Sequence, residues 1–178
     1  MSGLVHNLAA AKMTDPVTAY VGVGSNLQNP KAQVAKAMDA IGLLDRVRLI
    51  ARSNLYRSAA VGPPGQPDYV NAVVKVETRL SAPDLLAALL ALEAQLGRVR
   101  GGERWGPRII DLDLLLYADQ CHDSERLSLP HPQIPFRPFV LVPLRDVAGS
   151  DLQIPGRGRL DDLIKGIDVS QLQRVDYN

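Results

Sequence analysis

"RIIDLDLLLY", residues 108–117, is the stretch whose reading decides the fold. A short apolar run closed on its upstream side by the glycine- and arginine-rich loop "GRVRGGERWGP" (97–107) reads as a buried strand. Two carboxylates, Asp111 and Asp113, interrupt it. Burying an ionised carboxylate without a partner is expensive, and two neighbours also repel each other. Something positive must sit against them. On a strand, residues i and i+2 point the same way, about 6.6 Å apart by two strand rises. Asp111 and Asp113 therefore share one face, while Ile110, Leu112 and Leu114 turn to the core.

Working back from this strand, "SAPDLLAALLALEAQLG" (81–97) is a helix. Ser81 and Asp84 give it a capping-box-like start, and Gly97 stands where a glycine closes a helix C-terminus. "YVNAVVKVETRL" (69–80) alternates as a strand, and "VRLIARSNLYRS" (47–58) reads as another. The Pro/Gly-rich "AAVGPPGQPD" (59–68) links them. Upstream, "NPKAQVAKAMDAIGLL" (29–44) is a helix with Asn29 as N-cap and Pro30 in its first position. "VTAYVGVG" (17–24) is the first strand. The order is βαββαβ, and the predicted fold is α+β: a ferredoxin-like antiparallel sheet with helices packed on one face. A Pro-rich connection, a short helix near 139–147 and the helix-like "LDDLIKGI" form a C-terminal elaboration. One domain is expected over 17–178, with residues 1–16 a loose extension in which His6 has no role and Met13 stands close to a true start.

The 178 residues are 46% apolar and 22% charged, an ordinary globular composition. A net charge of +1 gives no general attraction for nucleic acid or anionic membrane. The single cysteine, Cys121, excludes an internal disulfide and a multi-cysteine metal site, which fits a reducing cytoplasm. No apolar run approaches the ~20 residues needed to cross a bilayer. Residues 1–18 carry no basic region followed by an apolar core, so they do not read as a secretory signal.

Two carboxylates on one strand face suit a hard cation, and Mg²⁺ favours one or two carboxylates completed by water and phosphate oxygens. The plainer reading is that arginines alone pair with them, or that the sheet face is wet. Arg98, Arg100, Arg104 and Arg108 surround the loop upstream, and guanidinium forks match phosphate oxygens. An acidic metal site beside mobile arginines is the equipment of phosphoryl transfer. Trp105 amid the glycines suggests a lid that excludes water. Downstream, Arg126, His131 and Arg137 add possible phosphate ligands, and the scarce aromatics Tyr69 and Phe139 are candidates for stacking on a flat ligand.

Four signatures in order, "GSNL" (24–27), "GPPGQPDYVNAVV" (62–74), "GRVRGGERWGPRIIDLDLLLY" (97–117) and "LPHPQIPFRPFVLVPL" (129–144), resemble the 6-hydroxymethyl-7,8-dihydropterin pyrophosphokinase family of the folate pathway. The resemblance covers the chain from the first strand to about Val147. It implies a monomer that transfers the β,γ-pyrophosphoryl unit of ATP to the pterin hydroxymethyl group and releases AMP. On that resemblance Asp111 and Asp113 match the ligands of two Mg²⁺ ions, one on the ATP phosphates and one also on the pterin hydroxyl. Arg98 and Arg108 match the catalytic arginines. Tyr69 and Phe139 match the residues on either side of the pterin, Asn71 the reader of its polar edge, Ser58 and Val61 its backbone contacts, and Trp105 is a further pterin-binding candidate. Glu93, Leu114, Arg126, Ser128, His131 and Arg137 match the ATP side, with Arg98 and Arg108 reaching it too. Asn26 matches a supporting position.

His131-Pro132 stands where some relatives carry an aromatic second residue, and Gly101-Gly102 replaces bulkier loop residues. Three other readings compete. An RNA-binding sheet would need an aromatic stripe and more positive charge. A metal-dependent phosphohydrolase or nucleotidyltransferase would share the aspartates and arginines but would need no Tyr/Asn/Phe pocket. An inactive relative would lack part of the acidic and basic set, all of which is present.

Overall fold

The computed structural model describes residues 15–99 and 106–177. Arg100, Gly101, Gly102, Arg104 and Trp105, together with His6 and Met13, lie outside the described residues.

Strand β1 (Val17–Ser25) leads into helix α1 (Pro30–Ile41). Asn29, with a left-handed backbone at φ 62°, turns the chain and accepts the Ala32 N–H on its side chain, so it caps the helix as expected. Strands β2 (Val47–Arg52), β3 (Leu55–Ser58) and β4 (Tyr69–Thr78) follow. The run 47–58, expected as one strand, is thus two, broken at Ser53-Asn54. The Ser53 N–H donates to the Val73 carbonyl, and the Ser53 hydroxyl takes the Val73 N–H, so a side chain replaces a ladder acceptor at the break. Helix α2 (Ala82–Gln95) opens on Ser81, whose Oγ accepts the Asp84 N–H, and closes on Gly97 at φ 96°. The left-handed glycine sends the Arg98 N–H back to the Glu93 carbonyl.

Strand β5 (Asp111–Tyr117) begins three residues later than the sequence suggested. Residues 108–110 are held instead by Asn26: its Oδ1 accepts the Arg108 N–H at 2.8 Å and its N–H donates to the Arg108 carbonyl. Two short strands, β6 (His122–Asp123) and β7 (Ser128–Leu129), form a hairpin, and a 3₁₀ turn (Ile134–Phe136) precedes helix α3 (Pro138–Ala148). The hairpin β8 (Gln153–Ile154) and β9 (Gly158–Arg159), helix α4 (Leu160–Lys165) and strand β10 (Gln173–Val175) complete the chain.

The main sheet runs β10-β3-β4-β1-β5, with β2 also on β4, and every pairing is antiparallel. Because β2 and β1 both oppose β4, they are parallel to each other and separated by it. β4 and β5 stand in the same relation across β1. The helix of each such crossover packs on the same side, as right-handed connections require. Val34, Met38 and Ile41 of α1 and Leu85 and Leu89 of α2 join Val21, Val74 and Leu112 in one buried cluster there. The other face is covered by α3, which the sequence placed only in an elaboration. Leu141 and Leu144 of α3 pack with Tyr20, Val73 and Leu115, and with Leu160 and Ile164 of α4. This second layer stops short of the Asp111 end of the sheet, and the gap is the site.

Candidate active site

Alternation sets the floor of that gap. Val21 and Val23 point to the α1–α2 core, so Gly22 and Gly24 face the other way. Gly24 pairs with Asp111 on one side and Asn71 on the other, while Gly22 pairs with Asp113 and Val73. A cavity of about 410 Å³ lies over these glycines, walled by Ser58, Val61, Tyr69, Asn71, Phe139 and Arg137. A second cavity, about 380 Å³, lies beside it and is lined by Glu93, Arg98, Leu114, Arg126 and Ser128, with Leu86 and Leu90 of α2. Arg108, Asp111, Asp113 and His131 line both. The two chambers therefore meet over the acidic pair.

The positive partners demanded by that pair are present. Asp111 Oδ1 accepts Arg98 Nη1 at 2.6 Å, and Arg108 Nη1 reaches both Asp111 oxygens at 3.2–3.3 Å. Asp113 faces Arg137 Nη1 at 3.9 Å, beyond hydrogen-bond reach. Its side chain keeps 36% of its surface open, at the bottom of the cavity. Close packing around it and the neighbouring Asp111 charge raise its pKa to about 7 against the pull of Arg137. Among the described residues, arginines thus hydrogen-bond Asp111, while Asp113 has Arg137 at 3.9 Å.

Glu93 of α2 is 1% exposed. Its Oε1 accepts the Leu112 N–H at 2.7 Å, between the two aspartates on the edge strand, and also pairs with Arg98. Burial raises its pKa, and the Leu112 and Arg98 contacts oppose that rise. One carboxylate so fixes both the backbone that carries the acidic pair and the guanidinium that meets it.

His131 stands at the junction of the chambers, its N–H on the Leu115 carbonyl. Its Nδ1 accepts the Gln133 N–H at 3.2 Å, so the neutral ring carries its proton on Nε2. Burial, and then the Arg137 charge, lower its pKa, which keeps it a neutral donor at physiological pH. In the first chamber Asn71 Nδ2 donates to Ser58 Oγ at 3.0 Å, which fixes the amide, and Oδ1 lies over Gly24. Tyr69 Oη donates to the Gly106 carbonyl, and Arg137 lies over the Phe139 ring at 5.7 Å.

Among the described residues every candidate but Asn26, which holds the Arg108 backbone, lines one of two adjoining chambers; Trp105, Arg100 and Arg104 lie outside the described residues. The sequence reading missed Gly22 and Gly24, although "VGVGS" carries the signal: small residues alternating with core valines leave one face bare. It also missed Leu86 and Leu90, whose helical spacing reads as core.

Residues 20–149 match the family model for 7,8-dihydro-6-hydroxymethylpterin-pyrophosphokinase. The chain belongs to that family. A Haemophilus influenzae 2-amino-4-hydroxy-6-hydroxymethyldihydropteridine pyrophosphokinase is 46% identical over 149 residues, 84% of this chain and 92% of its own length. A Pseudomonas aeruginosa protein of the same name is 44% identical, with 88% and 95% covered. In a Plasmodium falciparum HPPK-DHPS crystal structure with pteroate, the fold recurs at a TM-score of 0.69 and 11% identity, over 94% of this chain and 48% of that one. This chain spans about half of that structure. As a member of the family it is a pyrophosphokinase of folate biosynthesis with ATP as co-substrate.

Proposed function

We propose that the glycine-floored chamber holds 6-hydroxymethyl-7,8-dihydropterin, that the α2-side chamber holds ATP, and that Asp111 and Asp113 bind two Mg²⁺ ions between them. The meeting of the two chambers over the acidic pair carries this reading. The donor set fits a hard cation: all-oxygen ligands on one strand face, one of them left short of positive charge. Among the described residues, pairing with arginines alone accounts for Asp111 but not for Asp113.

The pterin lies between Tyr69 and Phe139, a flat heterocycle between two rings. Asn71 presents Oδ1 to its polar edge because Ser58 holds Nδ2. The hydroxymethyl oxygen then points to the junction. It attacks Pβ of ATP; the bond from Pβ to the α,β-bridging oxygen breaks, AMP leaves with that oxygen, and the hydroxyl proton passes to water. Mg²⁺ bound by Asp111 and Asp113 supplies neutralisation of the triphosphate charge and an acidified hydroxyl. Arg98 and Arg108, both paired with Asp111, are the guanidiniums nearest the junction and take the phosphates there, and His131 donates from Nε2. Arg126, Ser128, Arg137 and Leu114 complete the nucleotide side, and Glu93 acts through Arg98 rather than on ATP itself.

The strand order, with two parallel pairs each split by a third strand, supports the ferredoxin-like description. A cytoplasmic location suits the exposed, free Cys121, and the resemblance to the family supports a monomer. No helix of the described residues is long and apolar enough to cross a membrane.

Product analysis with ATP, Mg²⁺ and the pterin tests the reading. AMP formed only when the pterin is present, with a pterin diphosphate, is expected; ADP, or nucleotide breakdown indifferent to the pterin, overturns it. A finer test lies in the floor. A Cβ at Gly24 comes within 3.2 Å of Asn71 Oδ1. Gly24→Ala is expected to raise the KM for the pterin about tenfold while leaving that for ATP near its native value. Steady-state kinetics with each substrate varied in turn checks this.

A further inference from the structure

The break between β2 and β3 is held from outside the sheet. Asp146, in the last turn of α3, accepts three donors on a single oxygen, Oδ2: the Asn54 N–H at 3.0 Å, Asn54 Nδ2 at 2.9 Å and Tyr56 Oη at 2.9 Å. A surface carboxylate has water as an alternative, so three protein donors converging on one oxygen mark a designed junction. The C-terminal tail adds a second brace, since β10 pairs with β3 and Tyr177 Oη donates to the Ser53 carbonyl at 2.6 Å. The tail lies beyond the segment that matches the family model.

What the joint supports is the wall of the first chamber. Tyr56 pairs with Asn71 across the sheet and Ser58 with Tyr69. Asn71 Nδ2 bonds both the Tyr56 carbonyl, at 3.5 Å, and Ser58 Oγ. On the other side, Phe139 and Asp146 are seven residues apart on α3, two turns and about 10 Å, so they share a face of the helix. Pro143 lies between them and lacks the N–H that would bond the Phe139 carbonyl. The end of the helix that carries Phe139 thus has a weakened internal ladder and gains from an anchor at the other end.

We propose that Asp146 is a positioning residue of the pterin chamber. It ties α3 to the β2–β3 joint so that the Phe139 wall and the Ser58–Asn71–Tyr69 wall keep the spacing a flat ring needs. The inference rests on assigning that chamber to the pterin. It predicts a selective defect: the α2-side chamber is built from α2, β5 and the β6–β7 hairpin, none of which Asp146 touches.

Asp146→Ala, Asp146→Asn and Tyr56→Phe are compared by steady-state kinetics and thermal melting in the full chain, with Asn71→Ala alongside. In Asp146→Ala the pterin KM is expected to rise about 5- to 10-fold with the KM for ATP within about twofold of native. Asp146→Asn, which keeps an acceptor, recovers most of this. A fall in melting temperature with both KM values unchanged, or an equal rise in both, overturns the inference. Should Asp146→Ala fail to fold, Tyr56→Phe carries the test, because it removes one hydroxyl and a pterin KM raised about twofold is expected. An unchanged value there overturns the inference. Asn71→Ala separates the two levels. If it leaves the pterin KM untouched, the chamber assignment fails; if it raises it while the Asp146 variants do not, only the positioning role fails.

Discussion

Asp113→Asn is expected to abolish turnover and at the same time to stabilise the ligand-free protein above neutral pH. The activity loss follows from the donor set. Asparagine keeps the shape and one oxygen but removes the negative charge on which a divalent cation depends, at one of the two carboxylates that line both chambers. A fall in kcat of about 10³-fold or more is expected, in line with the loss of a principal electrostatic contribution to phosphoryl transfer. Retention of native activity would sink the metal assignment.

The stability gain follows from the sign of the pKa shift. Asp113 has a folded-state pKa of about 7, above the ordinary 3.8, chiefly because of burial and then because of Asp111. The fold therefore favours the protonated acid. As pH rises from about 4 towards 7, the unfolded chain gives up this proton readily and the folded chain does so at a cost, so the contribution of Asp113 to stability falls across that window. Above it the cost is constant. Asparagine does not titrate. The variant should exceed the native protein by about 1–2 kcal/mol near pH 8, with the difference vanishing towards pH 4. This is well under what the full shift would give, since the partly open carboxylate is screened by solvent. Denaturant melts at the two ends of the range check it. Addition of Mg²⁺ with ATP should reverse the order, because the native chain gains binding free energy that the variant lacks.

Much of this site was legible because it rests on local rules. The i, i+2 spacing of Asp111 and Asp113 fixes their shared face whatever the rest of the chain does. Ser81, Asn29 and Gly97 do in the structure what their types do in short peptides. The β2–β3 break was not legible. "VRLIARSNLYRS" has strand propensity throughout, and what interrupts it is tertiary: Val73 on one side, Asp146 some ninety residues away and Tyr177 in the tail. The delayed start of β5 has the same origin, because Asn26 takes the Arg108 backbone that the ladder would otherwise use. α3 was placed near its true position, but nothing in its own sequence says which sheet face it covers. The distribution of arginines over the aspartates was hidden too. Four arginines lie close together in "RVRGGERWGPR", and it is the turn at Gly97 that delivers Arg98 to both Glu93 and Asp111.

That delivery gives Arg98→Ala two separable effects. Catalysis loses a guanidinium at the phosphates, and kcat is expected to fall about 10²-fold, with the pterin KM changed little because Arg98 lines only the other chamber. Stability falls as well, since the buried Glu93 carboxylate loses the guanidinium that pairs with its Oε1. Burial already raises the Glu93 pKa, and Arg98 is one of the groups that holds it down. Without Arg98 it moves further up. An acid whose folded pKa lies above its unfolded one costs stability progressively as pH rises from the unfolded value towards the folded one. The variant should therefore lie close to native near pH 4 and lose about 3 kcal/mol near pH 8, the low end of the cost of breaking a buried ion pair, since Arg98 keeps some contact with solvent. Glu93→Gln on top of Arg98→Ala should restore most of that loss, because a neutral amide can still accept the Leu112 N–H through its oxygen. It should restore none of the turnover. A double variant as unstable at high pH as the single one would show that the lost stability comes from Arg98 packing rather than from the stranded carboxylate.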